Sequence, residues 1–73
     1  MDLDLLWFDD SKRPLAEKLA TALERYYAKF GEVANRVYCN PADLEAVELP
    51  GVTIETRPWM LRCHFQVGRD DDA

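Results

Sequence analysis

The residues best equipped for chemistry are few, and their spacing decides most of what they can do. The chain holds a single histidine, His64, directly after Cys63, and a second cysteine at Cys39. A neighbouring thiol and imidazole suggest a nucleophile with its base, or two metal ligands. On a strand, consecutive side chains point to opposite faces, so this pair cannot converge on one atom. Two thiolates without a third or a convergent histidine fall short of a zinc site. In a reducing compartment they behave as small apolar residues. His64 would need a partner base or nucleophile for catalysis, and none stands out. Asp9-Asp10 is the other candidate. Two carboxylates at the carboxyl end of a strand stand where open α/β sheets bind ligands, and they suit Mg²⁺ held through water. The same pair reads as a helix cap followed by an exposed turn. Finally, Arg36, Arg57 and Arg62 with Tyr38 could form a stacking platform for single-stranded nucleic acid. The glycines stand alone at 31, 51 and 68, so there is no phosphate-cradling loop.

Composition narrows these options. Seventy-three residues make one domain, and 48% of them are hydrophobic, enough for a core. A chain this short buries only about 60% of its unfolded surface and often leans on a partner. Fourteen acidic against nine basic residues give a net charge of −5, which repels phosphate backbones and argues against nucleic acid as a partner. No apolar run is long enough to span a membrane. Asp2 and Asp4 are foreign to a secretory leader. The expected compartment is the cytoplasm.

The positioning elements follow from periodicity. LDLLWF, 3 to 8, reads as a strand with Leu3, Leu5 and Trp7 on one face and Leu6 and Phe8 on the other. PLAEKLATALERYYAKF, 14 to 30, is a helix: Leu15, Leu19, Ala22, Leu23, Tyr26 and Phe30 form one stripe, Pro14 opens it and Gly31 stops it. Residues 34 to 40 form a short strand with Val37 and Cys39 inward. Asn40-Pro41 then starts a second, two-turn helix over PADLEAV. Pro50-Gly51 marks a turn before a strand over 52 to 57. The last strand spans 59 to 68, with Trp59, Leu61, Cys63, Phe65 and Val67 apolar in alternation. The first βαβ unit suits a parallel pair, and the last two strands suit a tight antiparallel hairpin. The predicted fold is α/β: a small two-layer sandwich, β-α-β-α-β-β, with helices on one face of a four-stranded mixed sheet. It forms a single domain over 1 to 69, followed by an acidic tail at 70 to 73.

This frame leaves one sheet face open. It carries Leu6, Phe8, Arg36, Tyr38, Thr53, Glu55, Arg57, Met60, Arg62, His64 and Gln66. Aromatic residues, Met and Arg are the types enriched where proteins associate. A contiguous exposed patch of this kind is a liability in a monomer.

VYCNPADLEAV, PGVTIETRPWM and HFQVG together resemble a segment of the major capsid proteins of tailed phages, over residues 15 to 68. The matching positions are Val37, Asn40, Pro41, Gly51, Val52, Val67 and Gly68. The resemblance takes in one segment of a capsid subunit and not the rest of it. The resemblance implies an assembly module and no catalytic residue. The expected function is therefore association without catalysis, by self-association or with a protein partner. Leu6, Phe8, Tyr38 and Met60 would form the apolar centre and Arg36, Arg57, Arg62, His64 and Gln66 the rim. No cofactor or metal is expected. The alternatives are a small single-stranded nucleic-acid binder and a metal-assisted enzyme around Asp9 and Asp10.

Overall fold

The computed structural model describes residues 4 to 70. Leu3 of the expected first strand and residues 71 to 73 of the acidic tail lie outside the described residues. The chain forms a small α/β fold of one α-helix and a four-stranded mixed sheet. The elements are β1 (Asp4–Phe8), α1 (Leu15–Phe30), β2 (Arg36–Cys39), a 3₁₀ turn (Pro41–Asp43), β3 (Thr53–Thr56) and β4 (His64–Gly68).

Helix α1 follows its apolar stripe. Leu15, Leu19, Ala22 and Tyr26 are buried against Val37, Cys39, Phe65 and Val67 of the sheet. Each fully buried Leu, Val or Phe among them contributes about 1.5–3 kcal/mol. Gly31 ends the helix at φ 72°, and its N–H donates to the Tyr27 carbonyl at 2.8 Å. Such a left-handed residue closes a helix at low cost only when it lacks a Cβ. At the other end no local side chain caps the helix. Glu45, thirty residues away, accepts from the Leu15 N–H at 3.3 Å instead.

The sheet order is β1-β4-β2-β3, and this corrects two expectations. Strands β3 and β4 do not form a hairpin: β3 pairs parallel with β2 at one edge. Strand β4 lies between β1 and β2, antiparallel to both, so the two strands flanking α1 run parallel without touching. The physical reason lies in β4 itself. Phe65 and Val67 are fully buried, and a strand with that much apolar surface is best placed at the centre, under the helix.

The second helix is also corrected. Only Pro41–Asp43 turns, and Leu44 is already extended at ψ 131°. Asn40 caps the turn by accepting from the Ala42 N–H at 2.8 Å. The residues beyond it run as an extended strap, with Val47 and Leu49 packed on the core. A two-turn helix gains too few hydrogen bonds to repay its nucleation, and here packing of the strap prevails.

Strand β4 begins at His64, five residues later than the alternation predicts. Pro58 follows Arg57, and the chain turns there: Met60 N–H donates to the Arg57 carbonyl at 3.0 Å. A second turn, His64 N–H to the Leu61 carbonyl at 3.3 Å, precedes the strand, and Cys63 sits at φ 62°. The two turns invert the reading of this stretch. Trp59 and Leu61, expected in the core, are 69% and 68% exposed, while Met60, expected on the open face, is 7% exposed. Cys63, expected as a core residue, is only partly covered. Phe65 and Val67 keep their predicted inward direction.

Candidate association face

The sheet register lays the open face out as rows across strands. Asp4, Gly68, Arg36 and Thr53 form one row; Leu6, Gln66, Tyr38 and Glu55 the next; Phe8 and His64 follow on β1 and β4. The first-strand frame holds as expected, with Leu6 at 63% and Phe8 at 55% exposure.

At one side of this face the polar groups close on each other. Asp4 on β1 and Arg36 on β2 pair at 3.0 Å across the intervening β4. They can do so because Gly68 stands between them: a Cβ there would collide with the Asp4 carboxylate and crowd the Arg36 guanidinium. Gln66 donates to the other Asp4 oxygen at 2.7 Å. The Tyr38 ring lies between two guanidinium groups, Arg57 at 4.5 Å and Arg36 at 5.7 Å from its centre. Arg57 pairs in turn with Glu55 at 3.1 Å. Cation-over-ring contacts of this kind contribute about 0.5–1 kcal/mol each at exposed sites.

The other side is apolar. Leu6, Trp59, Leu61, His64 and Gln66 surround a shallow groove of about 250 Å³ with Met60 at its floor. Phe8 lies against the His64 ring, with centres 4.9 Å apart. His64 Nδ1 is 2.8 Å from the Arg62 carbonyl. A carbonyl only accepts, so this contact requires a proton on Nδ1 and leaves Nε2 outward as an acceptor in the neutral ring.

The cap and the last residue of the 3₁₀ turn, Asn40 and Asp43, position the loop that carries Trp59 and Leu61. Asn40 Nδ2 donates to the Met60 carbonyl at 2.7 Å. Asp43 accepts from the Cys63 N–H at 2.7 Å and from Arg62 Nε at 2.9 Å. Arg62 therefore leaves the open face, where it was expected, and ties the loop to the turn. Met60 is likewise corrected: it supports the groove from below rather than presenting itself. Neither Trp59 nor Leu61 emerges as a surface residue from periodicity; Pro58 immediately before them is the one signal that the strand does not extend there.

The alternative chemistries can be placed against this geometry. Arg36, Arg57 and Arg62 each hold a carboxylate of the same chain, and a phosphate backbone would have to compete with it. Asp9 accepts from the Ser11 N–H at 2.9 Å and from Arg13 at 2.6 Å. Hydrogen bonding from Ser11, then from Arg13, holds its carboxyl well below the ordinary value of 3.8. It is committed to the turn before α1, and among the described residues no three His, Cys, Asp or Glu side chains gather to hold an ion. Burial pushes the Cys39 thiol up, which disfavours the thiolate a nucleophile needs. No helix among the described residues is long and apolar enough to cross a membrane. Comparison with protein-family models, curated proteins and solved structures finds no match.

Proposed function

We propose that this chain is a non-catalytic association module, and that the apolar side of its open sheet face is the docking surface for another protein chain, in the first instance a second copy. The observation that carries this reading is the loop before β4. Side chains of Asn40 and Asp43 hold its backbone, yet its two large apolar residues, Trp59 and Leu61, face water beside Leu6. Holding Trp and Leu outward on a fixed loop exposes apolar surface in the free chain, and it removes the ordering cost that binding would otherwise carry. Trp is the residue type most often found at the energetic centre of an interface. The assembly role implied by the resemblance to tailed-phage capsid segments points to the same class of function. The cytoplasm suits a chain whose two cysteines are both free thiols.

Light scattering during gel filtration, over a wide concentration range, tests the reading. The wild-type chain assembles as concentration rises, and Trp59→Glu weakens that assembly by more than about tenfold without lowering monomer stability by more than about 0.5 kcal/mol. A wild-type monomer at every concentration removes self-association. The apolar side is then left to a different protein.

A further inference from the structure

We propose that the hollow between α1 and the strap is a docking site for a basic, amphipathic segment of a different protein. It lies on the helix side of the sheet and is separate from the open face. Ala20, Leu23, Glu24 and Tyr27 stand at spacings of three and four along one flank of α1 and form one wall. Val33, Leu49, Pro50 and Val52 form the other. The hollow measures about 620 Å³, more than twice the groove beside Trp59. Its walls are fixed by backbone. Gly31 turns the chain out of α1, and Gly51, at φ 78°, turns it from the strap toward β3. The Val52 N–H donates to the Leu49 carbonyl at 3.0 Å, and the Thr53 N–H to the Asn35 carbonyl at 2.8 Å. Yet Tyr27 and Val33 are more than half exposed. A preformed apolar hollow of this kind receives apolar side chains with little reordering.

Charge selects the occupant. Glu24 lines the hollow, Glu32 precedes Val33 and Glu48 precedes Leu49. All three are exposed, and none forms an ion pair among the described residues. Arg69 reaches the same end, where its guanidinium donates to the Val33 carbonyl at 2.8 Å. The cations of α1 border other cavities: Lys18 beside Arg13, and Arg25 and Lys29 beside Leu5 and Trp7. Apolar walls under three uncommitted carboxylates suit apolar side chains flanked by Lys or Arg. The net charge of −5 steers such a partner toward the chain. A second copy fits poorly. Its exposed apolar loop is flanked by Arg57 and Arg62, each already paired with a carboxylate. Its Arg25 and Lys29 border a hollow, and two hollows do not fill each other.

The test uses the full chain and two synthetic peptides of leucine and lysine, one with leucine at helical spacing and one in strict alternation. One of them is expected to bind, to shift the amide signals of Leu23, Tyr27, Val33 and Leu49, and to weaken as salt rises. Replacing its lysines by glutamates abolishes binding. Val33→Asp and the double variant Glu24→Lys/Glu48→Lys each weaken it more than about tenfold. Trp59→Glu, which acts on the open face, leaves it unchanged. Binding that Trp59→Glu removes, or that survives the charge reversal, overturns the proposal, and so does a failure of both peptides to bind. Shifts at Tyr27 and Val33 on concentrating the chain alone overturn it in favour of a second copy. Should Val33→Asp fail to fold, the charge reversal decides alone.

Discussion

On the side of the open face formed by Arg36, Tyr38, Glu55 and Arg57, charges and rings meet their complements within the chain. On the side formed by Leu6, Phe8, Trp59 and Leu61, large apolar side chains meet water. Both sides carry residue types enriched at interfaces, so type alone does not distinguish them. Internal pairing does. A guanidinium already stacked on Tyr38 and bonded to Glu55 has little left to offer a partner. An exposed Trp on an anchored loop has its whole desolvation still to gain.

The contrast can be broken most severely at Asp43. Asp43→Ala frees the Cys63 N–H and Arg62, and the loop that presents Trp59 loses its support. Chemical denaturation should record a loss of about 1–3 kcal/mol, with association weakened as well. Cys63→Gly sharpens the comparison from the other direction. It relieves a left-handed backbone that only glycine adopts freely, and should raise the unfolding free energy by up to about 1 kcal/mol with association intact. Arg57→Ala acts on the closed side alone. Removing the stack on Tyr38 and the pair with Glu55 should cost about 0.5–1 kcal/mol in thermal unfolding and leave the mass unchanged. The smallest effect is at Asp9, away from both sides. Its folded carboxyl titrates below 3.8, so its stabilising contribution is present above that pH and is lost as pH falls below it. Stability measured across acid pH should show a shallower decline in Asp9→Asn.

Much of the framework was legible in the residues. The stripe from Leu15 to Phe30 specifies α1, and the alternation around Leu5 and Trp7 sets the frame that leaves Leu6 and Phe8 outside. The apolar side was legible to that extent. Its strongest members were not, because WMLRC alternates like a strand while two turns, neither marked by glycine, invert it. Period-two patterning says which residues share a face only if the backbone stays extended, and Pro58 ends that condition. The second helix failed for a related reason. Asn40-Pro41 is a sound start signal, but Asp43 turns its carboxylate to Cys63 and Arg62, and the strap then packs in extended form. Sheet order was out of reach, since no local pattern states that β4 returns between β1 and β2.

The central claim is that the apolar side makes contact while the paired side does not. Amide and indole chemical shifts followed on dilution test it residue by residue. The account predicts concentration-dependent shifts at Leu6, Phe8, Trp59, Leu61 and His64, and steady signals at Thr53, Glu55 and Arg57. Movement confined to Thr53, Glu55 and Arg57, or shifts that stay fixed throughout in a chain that assembles, would contradict it.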